Sequence, residues 1–144
     1  MALRKPAFVI GFCYLLTGCG ENGPPSGAPL GTPSPLHGKV TFADGTPVKG
    51  GLINFLPVEV EVGRKLRFDG ASLINAQGEY VAGRNLDGKG IVPGDYIVTV
   101  IPREVGELPG SNSSQVPKQF QDKQTSTIKI TVEEKDNAID IVLK

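Results

Sequence analysis

The residues best placed to do chemistry stand near the N-terminus, at Leu16-Thr17-Gly18-Cys19. Leu16 fits an apolar subsite, and Thr17 and Gly18 are small enough for a peptidase to grip the backbone. The Cys19 thiol can be alkylated to a diacylglyceryl thioether before the cut. The context agrees: Arg4 and Lys5 form a positive n-region, and Ala7 to Leu16 is an apolar run of signal length, too short for a membrane span. The competing reading is a buried N-terminal strand with a free cysteine. The coincidence of charge, run length and tetrapeptide favours cleavage ahead of Cys19.

The pattern of Leu, small, small, Cys is matched at all four positions, and the segment resembles the bacterial lipoprotein signal. That resemblance implies a signal peptide over 1–18, acyl chains such as palmitate carried on Cys19, and a cell-envelope location with the membrane reached through the lipid. Where bacteria use the next position as a sorting cue, Gly20 in place of Asp points to the outer membrane.

Beyond Cys19 the chemistry thins out. Cys13 lies in the h-region, so once residues 1–18 are removed no thiol is left for a disulfide, a zinc site or a nucleophile. His37 is the only histidine, which leaves neither a Ser-His-Asp arrangement nor a multi-imidazole zinc site to assemble. No catalytic residues, no metal site and no cofactor are expected. Asp44, Asp69, Asp87 and Asp95 sit beside glycine or in turns. They lack the alternating acidic spacing of a calcium loop and are explained as Asx turns.

Of 144 residues, 126 remain after position 18, enough for a tether and one domain. Without Arg4 and Lys5 the chain keeps 13 basic and 15 acidic side chains, a formal charge of −2 that makes no electrostatic case for nucleic acid. Residues 19–35 form a lipidated cysteine and a Pro/Gly-rich tether, which buries too little to fold and reaches roughly 50 Å at about 3.1 Å per residue.

From residue 36 to 144 the pattern is that of strands. Leu36, Gly38, Val40 and Phe42 alternate with His37, Lys39 and Thr41. A turn at Asp44-Gly45-Thr46-Pro47 leads to a second strand over 51–56 with Ile53 and Phe55 inward, so 36–56 is read as a hairpin-like unit. Val58 to Asp69 is an edge strand or an ordered loop. Ala71 to Asn75 and Glu79 to Ala82 flank a tight hairpin turn with Gly78 at positive φ. Val92-Pro93-Gly94-Asp95 predicts a type II turn. It launches a central strand in which Tyr96, Val98 and Val100 point inward and Thr99 occupies a milder face. Ile128, Ile130 and Val132 form another strand, and Ile139, Ile141 and Leu143 a last one. With about seven strands and no helix, the expected fold is an all-β, Ig-like or prealbumin-like β-sandwich.

The run HGKVTFADGTPVKGGLINF, the Gly78-Glu79-Tyr80 hairpin and VPGDYIVTV resemble the carboxypeptidase regulatory-like domain, a transthyretin-like sandwich. The run VPKQFQDKQTSTIKITVEEKDNAIDIVLK is similar to the C-terminal part of small lipoproteins of planctomycete-type bacteria. The resemblance covers essentially all of 36–144. It implies a fold and an envelope location and brings no catalytic residues, because in metallocarboxypeptidases such a module accompanies a separate catalytic domain.

The long loop over 102–125 lacks an apolar period and is expected to be functional or internally packed. Within it, Lys118, Phe120 and Gln121 either present an aromatic, hydrogen-bonding patch to a protein or glycan partner, or lie on a segment that caps the sandwich through Phe120. The expected function is a non-catalytic, lipid-anchored envelope module that binds or braces a protein or glycan. The alternative is a small-ligand or metal-binding lipoprotein.

Overall fold

Alternating side chains in the short strands divide between an inner and an outer face, except in the middle of the second and fifth strands, where three consecutive residues are buried. The computed structural model describes residues 31–58, 70–103 and 108–144, which form eight strands in two sheets. In the first sheet β1 (Leu36–Phe42) is central. It has β4 (Glu79–Val81) antiparallel on one side, and β7 (Asn137–Ala138) and β8 (Ile141–Leu143) parallel on the other. The second sheet is antiparallel, in the order β3 (Gly70–Leu73), β2 (Leu52–Pro57), β5 (Gly94–Ile101), β6 (Lys129–Val132). The described residues contain no α-helix, only 3-10 turns at Arg84–Leu86, Ser113–Gln115 and Lys118–Phe120.

The molecule is an all-β sandwich. Leu36, Val40, Tyr80 and Ile141 from the first sheet share one buried core with Ile53, Phe55, Val98 and Val100 from the second. The Phe55 and Tyr80 rings meet with centroids 5.5 Å apart, tilted by 42°. Each such aliphatic or aromatic side chain contributes about 1.5–3 kcal/mol when fully removed from water, so the core must supply most of the stability of a fold whose described residues include no cysteine.

β5 is central, as its doubly apolar pattern predicts: β2 and β6 flank it, and Tyr96, Val98 and Val100 are buried. The milder setting expected for Thr99 is not found. Thr99 is 2% exposed and lies beside Asn54, whose side-chain amide donates to its hydroxyl at 3.4 Å. At Thr99 the outer face of this strand is therefore covered, while Ile101 on the same face is 38% exposed.

Strand pairing departs from the sequence expectation in three places. Residues 36–56 pair only around the Asp44-Gly45 turn, which folds 46–48 back onto β1 through a Thr41–Pro47 bridge; β2 then belongs to the opposite sheet. The turn before Gly78 is present, with Gly78 at φ +79° and the Asn75 N–H donating to the Glu79 carbonyl at 3.0 Å. Its arms, however, also enter opposite sheets, and they rejoin through an Ala71–Gly83 bridge and a Val81 N–H to Ser72 Oγ hydrogen bond. The expected last strand is split at Ile139-Asp140 into β7 and β8. At the split, a Cβ on Gly38 would come within 2.0 Å of the Ile139 carbonyl oxygen. Ile139 therefore approaches β1 where only glycine leaves room, and Asp140 Oδ1 accepts the Lys39 N–H at 2.9 Å in place of a backbone carbonyl.

Two smaller expectations also change. Gly94 lies in the ladder opposite Val132 with φ +154°, not near the +80° a type II turn requires. Ser34, ahead of Leu36, exchanges backbone hydrogen bonds with Ile91 at 2.8 and 3.0 Å. The reading of 59–69 lies outside the described residues.

Strand directions give the sandwich two poles. At one, the chain enters at Ser34, β4 leads into β5 through 82–93, and β6 leads into β7 through 133–136. At the other lie the β1–β2 turn, the β3–β4 turn and the start of the long β5–β6 connection.

Candidate functional site

The long connection is built from small hydrogen-bonded turns instead of a periodic element. Asn112 fastens its start to the β1–β2 segment. Its Oδ1 accepts the Lys49 N–H at 2.7 Å, and its side-chain amide donates to the Pro47 carbonyl at 3.0 Å. Two 3-10 turns then bury Val116 and Phe120, at 3% and 1% exposure. The second turn lies against β5. The Gln121 side-chain amide donates to the Val116 carbonyl at 2.8 Å, and Ser126 Oγ donates to the Val98 carbonyl at 2.5 Å.

This geometry corrects the reading of Lys118, Phe120 and Gln121 as an aromatic contact patch. Phe120 belongs to the core, and the amide of half-buried Gln121 is engaged internally. Lys118 alone is exposed. The segment has the form of the internal cap, the other of the two expectations.

At the pole opposite Ser34 the surface opens into a cleft of about 430 Å³, lined by Gly50, Gly51, Leu73, Ile74, Asn75, Ala76, Gln77, Arg103 and Leu108. Leu73 and Leu108 are 44% and 39% exposed. Asn75 is occupied in shaping the turn: its Oδ1 accepts from the Gln77 and Glu79 N–H groups at 2.9 and 2.8 Å, and its amide donates to Glu79 Oε2 at 3.1 Å. The lining thus combines aliphatic side chains with one guanidinium and carries no aromatic ring. Sequence reasoning missed this site, because its residues come from three separate connections and the end of β3, and none carries a motif. The Asx turn at Asn75 was the available signal.

Several other titratable groups are engaged locally. The Thr46 backbone N–H, at 2.8 Å, and then its hydroxyl hold the Asp44 carboxyl below the usual carboxylate range. Asp87 accepts the Lys89 N–H at 3.0 Å, and Asp95 accepts from Thr131 Oγ1 at 2.5 Å. His37, at the chain-entry pole, places Nε2 3.2 Å from Asp136 Oδ1. Among the described residues no group of three or more His, Cys, Asp or Glu side chains is placed to hold a metal ion. Asp69 and the Leu16-Thr17-Gly18-Cys19 stretch lie outside the described residues.

The chain matches no family model, no curated protein and no solved structure. What the fold defines is its class, an all-β protein of two packed sheets.

Proposed function

We propose that the chain is a non-catalytic, lipid-anchored module of the bacterial cell envelope that binds or braces a protein partner through the cleft of its far pole. The observation that carries this reading is polarity. Cys19 lies upstream of Ser34, where the chain enters the sandwich, and the cleft with its exposed Leu73, Leu108 and Arg103 lies at the other end. An anchor at one pole leaves the other free to meet a partner. The resemblance to lipoprotein signals and to the carboxypeptidase regulatory-like domain supports the same reading. A lining without aromatic rings favours a protein over a glycan, since no flat face is offered to a sugar.

A photo-crosslinking side chain placed at Leu73 in intact cells tests this. Cys19→Ser should reduce the adducts formed by the parent by moving the domain off the membrane. Adducts equally abundant from Leu73 and from exposed Lys135 at the opposite pole would contradict the cleft as the contact surface.

A further inference from the structure

The chain-entry pole carries its own unusual surface. The 3-10 turn Arg84–Leu86 holds Asn85 at φ +55° and Leu86 at φ +65°, a left-handed conformation that L-residues seldom adopt and that is rarest for bulky ones. The result is a leucine left 49% exposed at a loop tip. Next to it Val81, on the outer face of β4, is 55% exposed, and its Cγ1 would stand 3.6 Å from a Cβ on Gly88, so the valine and the loop share one surface. Arg84 and Lys89 flank the leucine and are both exposed; Asp87 between them caps the Lys89 N–H. The loop therefore joins two outward aliphatic groups to a net positive charge.

The chain outside the described residues says what could cover this surface. Twelve peptide units separate Cys19 from Gly31, a span of at most roughly 40 Å at about 3.5 Å per residue. A lipid on Cys19 would hold this pole within that distance of a bilayer, at a high effective concentration. We propose that Val81 and Leu86 dock into the headgroup–acyl boundary of that bilayer while Arg84 and Lys89 meet anionic headgroups. The proposal rests on the lipid-anchor reading. The contact is one-sided: β4 and β7 flank β1 on opposite sides, and the turn at the β7 side carries Glu133, Glu134 and Asp136 against Lys135. An anionic surface attracts the first edge and repels the second, tilting the domain onto β4.

The test uses the mature lipidated protein in phosphatidylethanolamine–phosphatidylglycerol vesicles. An environment-sensitive fluorophore is attached at Leu86→Cys or Val81→Cys, with Glu134→Cys and Thr46→Cys as controls and a quencher carried on the lipid. Quenching at positions 86 and 81 should exceed that at 134 and 46 several-fold, and the additional changes Arg84→Glu and Lys89→Glu should reduce it without releasing the protein. Flotation with the vesicles reads the anchor separately. Equal quenching at all four positions in protein that floats would overturn the docking and leave the anchor standing. Protein that does not float would overturn both.

Discussion

Tyr80 shows how much a single side chain does in this fold. It fills the core against Phe55, and its hydroxyl donates to the Ile139 carbonyl at 2.6 Å, the same carbonyl that crowds Gly38. Burial first, and then the nearby Asp140 charge, raise its pKa above that of a free tyrosine. The folded state thus binds the phenolic proton more tightly than the unfolded chain. The resulting stability is fully present below about pH 10, the unfolded value, and is lost as pH rises from there toward the folded pKa. Tyr80→Phe should cost about 1 kcal/mol at neutral pH through the lost hydrogen bond. It should also remove up to about 1.4 kcal/mol per pH unit from the alkaline slope of stability, measured by denaturant unfolding at pH 8 to 11. Phe120 makes a second residue-scale prediction. As a core side chain it should cost about 3–5 kcal/mol when cut to alanine, whereas Lys118→Ala on the exposed neighbour should leave the unfolding midpoint nearly unchanged.

At the scale of the element, β5 is the most demanding strand. Val98→Asp would place a carboxylate in the shared core and should unfold a domain of ordinary stability. Thr99→Asp should be comparably damaging, because Thr99 is itself buried. A clearly more stable Thr99→Asp variant in thermal unfolding would contradict the burial of Thr99. Alternation made β5, β1 and the inward pair Ile53 and Phe55 legible in the sequence, since a period of two records which face meets the core. Pairing was not legible. Whether the arms of a tight turn pair or cross the sandwich depends on distant partners: β1 takes β7 and β8 because Gly38 admits Ile139. Asn137 fixes that arrangement by donating through its side chain to the Pro35, Glu133 and Lys135 carbonyls. The cap was illegible for a related reason. Phe120 is buried from a 3-10 turn, whose three residues have no period to read, so the sequence left it poised between cap and contact surface. The cleft left even less trace, being assembled from connections that meet only after folding.

For the whole molecule, the central feature is polarity: chain entry at one end, a cleft at the other, and no helix among the described residues long and apolar enough to cross a membrane. In the proposed reading the entry end is fixed by the lipid on Cys19. The most direct measurement is the intact mass of the protein extracted by detergent from the membranes of bacteria expressing the full chain. The account predicts loss of residues 1–18 and a gain on Cys19 equal to a diacylglyceryl group, with or without a further acyl chain. Cys19→Ser should abolish that gain. A mass equal to the unprocessed chain, or a Cys19 thiol still free to react with an alkylating reagent, would contradict it.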